Sequence, residues 1–114
     1  MPNNNSKEIN EIMQEAVKIS REAFGDILRQ VWLYGSYARN EATEDSDIDF
    51  CVVVSEPVDS WKYIRDFYGD FSIDILNRYD ELPEVFITDV KRFNESKIPV
   101  YETIKREGVL YYDL

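Results

Sequence analysis

The chain has 114 residues, a length that suits one domain over 1–114, and its 44% hydrophobic and 14% aromatic content is that of a globular fold and not a disordered tail. Thirteen Lys and Arg against 23 Asp and Glu leave a formal net charge of −10, which argues against binding through a nucleic-acid backbone. No histidine is present and Cys51 is the single cysteine, so Ser-His-Asp and Cys-His triads, zinc sites and an internal disulfide are all excluded.

The opening MPNNNSKE lacks an apolar h-region and no apolar run is long enough to span a bilayer, so a cytoplasmic, membrane-free protein is expected. Asn3 to Asn5 read as a lead-in, with Asn5 or Ser6 as N-cap. Ile9, Ile12, Met13, Ala16, Val17, Ser20, Ala23 and Phe24 then recur at helical spacing and predict an amphipathic helix ending near Gly25. QVWLYG, 30–35, reads as a first strand, SYARNEA as a short helix and TEDS as a turn. DIDFCVVV, 47–54, is acidic at its start and then continuously apolar, the pattern of a central strand.

After a loop over 55–60, a helix is expected over 61–69, with Trp61, Ile64 and Phe67 or Tyr68 on its buried side. DFSIDIL, 70–76, alternates Phe71, Ile73 and Ile75 with Ser72, Asp74 and Leu76, which predicts a third strand. Leu82, Val85, Phe86, Val90 and Phe93 predict a further helix, with Pro83 in its first turn. Pro99 opens a last helix through Arg106, capped by Gly108, and VLYYDL closes the chain. The expected fold class is α/β, a small mixed sheet of three to four strands flanked by helices.

Asp47 and Asp49 are two apart on a strand, so they face the same way. Close carboxylates repel unless a proton or cation lies between them. Asp74, on the expected third strand, would make a third converging acid if the two strands are neighbours. Such an all-oxygen set suits Mg²⁺, with Mn²⁺ as a substitute. Taken alone a D-x-D is common in strand ends and solvated turns, and a Gly-Ser step is usually only a turn. A glycosidase pair fits poorly, since its acids stand on opposite sides of the sugar. Together with the acids, Gly35 lets the backbone turn tightly and Ser36 offers N–H groups and a hydroxyl to phosphate oxygens.

Gly35-Ser36, ten residues, then Asp47-Ile48-Asp49 resembles the signature of the DNA polymerase β-like nucleotidyltransferases. Within these, GSYARNEATEDSDIDF is similar to the pattern of the minimal nucleotidyltransferases (MNT), and IKREGVLYYD, 104–113, to their ending. The likeness runs from about residue 28 onward; Asn40 departs from a frequent Gly and Tyr37 from a frequent basic residue. The resemblance implies the polymerase β-like fold and two Mg²⁺ ions held by Asp47, Asp49 and Asp74, with Asp74 also as general base. It further implies that Gly35, Ser36 and Arg39 bind the phosphates of ATP or another NTP. Members are often paired with a small helical HEPN-type protein, so the resemblance implies the antitoxin of such a module, moving AMP onto a toxin tyrosine. Two rivals remain at this point: an antitoxin that neutralises its partner by occlusion, and a small-molecule, aminoglycoside-type nucleotidyltransferase. The tyrosines near the C-terminus suit a partner interface or a homodimer.

Overall fold

The computed structural model describes residues 6–43 and 45–114, without the side chain of Ser6, so the cap expected at Asn5 or Ser6 lies outside the described residues. Helix α1 (Ser6–Phe24) follows the expected stripe: Ile9, Ile12, Met13, Ala16, Val17, Ser20 and Phe24 are buried at three- and four-residue steps. A single 3₁₀ turn over Gly25–Ile27 leads into strand β1 (Leu28–Tyr34). Strand β2 (Ile48–Val54) is buried along almost its whole length, as its apolar run requires.

Four strands form one sheet in the order β3-β2-β1-β4, with β3 spanning Pro83–Asp89 and β4 Val109–Asp113. The β1–β2 and β1–β4 pairs are antiparallel and β2–β3 is parallel. A parallel pair needs a crossover of a dozen or more residues. The helical segment between β2 and β3 supplies it: α2 (Ser60–Tyr63), one π turn (Ile64–Tyr68) and α3 (Gly69–Tyr79).

Alternation along β2 divides the core. Ile48, Phe50, Val52 and Val54 point to one face with Leu28, Val31 and Leu33 of β1, where α1 and the crossover residues Tyr68, Phe71 and Ile75 cover them. Cys51 and Val53 point to the other, beneath Phe93 of α4 (Val90–Glu95) and Tyr101 and Ile104 of α5 (Pro99–Glu107). Each fully buried Ile, Val or Phe contributes about 1.5–3 kcal/mol relative to exposure, so both layers are needed to hold β2 central. Two buried hydroxyl pairs fix these layers, Ser20 with Tyr68 at 2.8 Å and Thr88 with Tyr101 at 2.9 Å. Among the described residues no helix is long and apolar enough to cross a membrane.

Three expected elements are corrected. Residues 70–76 are helical, because Tyr68, Phe71 and Ile75 lie on one helical face while Ile73, the middle of the supposed strand alternation, is 60% exposed. Asp80 ends that helix in the left-handed conformation at φ 57. Residues 83–89 are strand β3 and not the start of a helix; only 90–95 is helical, capped by the Asp89 side chain accepting from the Arg92 amide at 3.1 Å. SYARNEA is a hydrogen-bonded turn without helical continuation. The last helix and its Gly108 end stand as expected, and VLYYD adds β4 as the fourth strand.

Candidate active site

The end of β1 and the start of β2 meet at the Gly35-Ser36 step. Gly35 has φ +78, a backbone conformation open to glycine at little cost. A methyl group there would lie 2.5 Å from Asp49 Oδ2, so only glycine lets the Asp49 carboxylate rest against this backbone. The following turn is closed by the Arg39 amide donating to Gly35 O at 3.2 Å and the Glu41 amide to Ser36 O at 2.9 Å. The N–H groups of Ser36, Tyr37 and Ala38 are used in none of these bonds. Asn40 completes the turn at φ 60, which explains the departure from Gly at this position, since Asn is among the side chains that tolerate the left-handed region. The cradle expected at a helix N-terminus is therefore a single tight turn.

Asp49 pairs across the sheet with Tyr34 on β1 and with Glu84 on β3. Trp32 and Tyr34, Cys51 and Val53, and Phe86 pack on one face, so alternation sets Tyr34, Asp49 and Glu84 in a row on that face, with Asp47 two residues before Asp49. Burial, then the Glu84 and Asp47 charges, push the Asp49 carboxyl up to about 6, against a smaller opposing pull from Arg39. The Tyr34 phenol is raised above its ordinary value by burial and then by Asp49, Cys51 and Glu84, so it is a neutral hydroxyl beside the acids.

Asp74 does not join this row. It lies on α3, whose buried residues pack on the opposite face of the sheet, and its carboxylate takes Arg78 Nη2 at 2.7 Å. The same guanidinium reaches Glu15 on α1 at 2.6 Å. Arg78 and Asp74 are exposed and Glu15 is half-buried, so this is a surface clasp between helices, contributing at most about 1 kcal/mol per pair. An acid that does lie beside Asp49 is Glu84, its partner on β3. Sequence reasoning missed it because Leu-Pro-Glu imitates a helix start, with Pro at the first position and an acid in the first turn. An edge strand also accepts Pro as its first residue, and the acid at alternate spacing before Phe86 was the available signal.

Arg39 is exposed and bridges Glu41 at 2.9 Å and Glu107 of α5 at 3.3 Å, while its charge is felt at Asp49. The structure thus brings together Gly35, Ser36, Asp47 and Asp49, keeps Arg39 at the rim, and adds Glu84. No three acidic side chains among the described residues are already gathered around one point. The donor set nevertheless suits a hard divalent cation: oxygen ligands only, from carboxylates whose mutual repulsion a cation relieves.

One consequence concerns stability. The folded Asp49 value lies above the ordinary 3.8, so its contribution is fully present below about pH 4 and is lost as pH rises through about 6. Discounted for partial exposure, removing the charge should stabilise the cation-free protein by about 1 kcal/mol near neutral pH, or roughly 4 °C in melting temperature. Asp49→Asn is accordingly expected to melt higher than wild type at pH 7.5 and to lose that advantage at pH 4, as followed by circular dichroism with a chelator present. An equal difference at both pH values would contradict the assignment of the strained charge to Asp49.

A mixed β3-β2-β1-β4 sheet with a glycine turn lying on an acidic strand defines a nucleotidyltransferase domain of the polymerase β-like fold. Residues 7–110 match the family described as nucleotidyltransferase domain, and the chain belongs to it. It is 41% identical over 59 residues to the protein adenylyltransferase MntA of Thermococcus cleftensis, covering 52% of this chain and 58% of that one. It is 36% identical over 69 residues to a Methanocaldococcus jannaschii protein named "Putative protein adenylyltransferase", covering 57% of this chain and 47% of that one. The chain thus spans about half the length of these curated relatives. Among solved structures, a chain of a toxin–antitoxin complex with AMP-PNP superposes with a TM-score of 0.61 at 17% identity, over 89% of this chain and 73% of that one. A complex of tri-AMPylated Shewanella oneidensis HEPN toxin with MNT antitoxin gives 0.54 at 19% identity, over 93% and 71%. At such identities the superpositions speak for the fold.

Proposed function

We propose that the protein transfers AMP from ATP to a hydroxyl of a HEPN-type partner protein, in a reaction dependent on Mg²⁺ or Mn²⁺, as the antitoxin of a two-protein module. The observation that carries this reading is the contact of Gly35 with the Asp49 carboxylate, which makes a phosphate-binding turn and an acidic platform one site. The names of the relatives, protein adenylyltransferases, and the AMP-PNP complex among the structural neighbours support the choice of AMP and of a protein acceptor.

In this reading the N–H groups of Ser36, Tyr37 and Ala38 and the Ser36 hydroxyl hold the β,γ-phosphates. Arg39, itself exposed, leaves the exposed Glu41 and the half-buried Glu107 for a phosphate, a small cost because such surface pairs are weak. Asp47, Asp49 and Glu84 would hold the divalent cations, which would supply charge stabilisation at the reacting phosphate. In this reading Glu84 accepts the proton of the attacking hydroxyl. The new bond joins that oxygen to the α-phosphorus, the bond to the β-phosphate oxygen breaks, and pyrophosphate leaves.

The test is transfer of label from α-³²P-ATP. Incubation with a HEPN-type partner and Mg²⁺ should label the partner, chelation by EDTA should abolish the label, and added Mn²⁺ should restore it. A partner that is fully neutralised by the wild-type protein yet carries no label would establish occlusion instead.

A further inference from the structure

Among the described residues, two buried acids take no part in the chemistry above: Asp89, whose side chain caps α4, and Glu81. Glu81 is 5% exposed and lies just ahead of β3. Its Oε1 accepts the Tyr37 hydroxyl at 2.6 Å, and Tyr37, 8% exposed, belongs to the turn that follows Gly35-Ser36. Beside this bond the Ile48 amide donates to Leu82 O at 2.9 Å, and Ile48 is the residue between Asp47 and Asp49. The segment 80–82 is thus held from two sides, by the turn and by the start of β2. Two residues further on, β3 presents Glu84.

Placing a carboxylate inside a fold is unfavourable unless hydrogen bonds satisfy it, and apolar side chains could fill the same space without that cost. A short charge-assisted hydrogen bond does what apolar contact does not: it fixes distance and direction between two segments. Here those segments are the Gly35–Ala38 turn and the approach to Glu84.

We infer that Tyr37 and Glu81 form a positioning pair, whose buried hydrogen bond sets the Gly35–Ala38 turn in register with the strand bearing Glu84. Phosphates held at the turn then meet cations held by Asp47, Asp49 and Glu84 without a search over relative placements. This inference rests on the nucleotidyltransferase reading and goes beyond it by assigning a role to two side chains that touch neither nucleotide nor cation. It also accounts for Tyr37 where a basic residue is frequent: its hydroxyl is directed inward to Glu81 and not outward to phosphate.

The test separates affinity from stability by calorimetric titration with AMP-PNP and Mn²⁺, at a temperature where each variant is folded, alongside thermal melts. Tyr37→Phe is expected to bind about three- to tenfold more weakly and to melt lower, because it takes the Tyr37 hydroxyl away from the buried Glu81 carboxylate. Glu81→Gln keeps an oxygen acceptor and should bind within about twofold of wild type. The double variant Tyr37→Phe/Glu81→Met removes both groups of this bond and should still bind about three- to tenfold more weakly than wild type, whatever its melting temperature. Unchanged affinity in Tyr37→Phe, or affinity that returns with stability in the double variant, reduces the pair to a structural bond and overturns the inference. Failure of the wild-type protein itself to bind AMP-PNP with Mn²⁺ would remove the nucleotidyltransferase reading and this inference together.

Discussion

Glu84→Gln and Asp49→Asn are each expected to lower AMP transfer by about a hundredfold or more, while Asp74→Asn leaves it within about twofold. The contrast follows from the sheet. Asp49 and Glu84 are paired residues on adjacent parallel strands and their charges are coupled. In the proposed reaction each amide replacement would keep size and polarity but remove one negative ligand, so the loss would fall on cation binding and on stabilisation of charge at the reacting phosphate. Asp74 sits on the helix layer of the other face, engaged with Arg78 at 2.7 Å in an exposed ion pair. Its loss costs a few tenths of a kcal/mol of stability and nothing at the site. Label transfer from α-³²P-ATP, compared at equal folded concentration, reads the difference. A folded Asp74→Asn variant that transfers as poorly as Asp49→Asn would place the third acid on α3 and refute the assignment to Glu84.

How far this was legible in the sequence depends on the residues concerned. The α1 stripe from Ile9 to Phe24 and the apolar run of β2 declare themselves, because their periods extend over enough residues to exclude the alternative. Gly35, Ser36, Asp47 and Asp49 were legible as a unit because their spacing is a local property of the chain. The exchange of helix and strand between 70 and 89 was not. Phe71, Ile73 and Ile75 satisfy a strand alternation, Phe71 and Ile75 equally a helical one, and a run of seven residues cannot decide. The deciding constraint is non-local: β3 is parallel to β2, so the connecting residues must cross the sheet before the strand begins. The missed Glu84 is the same error carried to the site, since a residue misassigned to a helix cannot be placed beside Asp49. The Tyr37–Glu81 bond, between residues 44 apart, has no sequence signal at all.

Gly35→Ala is expected to lower AMP transfer by about a hundredfold, an effect that backbone strain alone does not produce. An L side chain at φ +78 costs about 1–2 kcal/mol, which lowers the melting temperature but leaves the folded fraction active. The larger effect is contact. The added methyl group meets Asp49 Oδ2 at 2.5 Å, well inside van der Waals separation, and the Asp49 Cβ and Cγ at 3.4 Å. Either the carboxylate swings away or the turn lifts off β2, and a displacement of about 1 Å in a reacting constellation costs on the order of a hundredfold in rate. Gly25→Ala separates the two causes. Gly25 also has positive φ, +53, but a methyl group there meets nothing within 4 Å. The two variants should therefore melt within a few degrees of each other, by about the same strain, while only Gly35→Ala loses transfer. Equal loss of transfer in both would mean that the glycines matter only through the stability of the fold. Equal retention would mean that the Asp49 carboxylate does not need to lie against the turn, and the two halves of the site would then be separable.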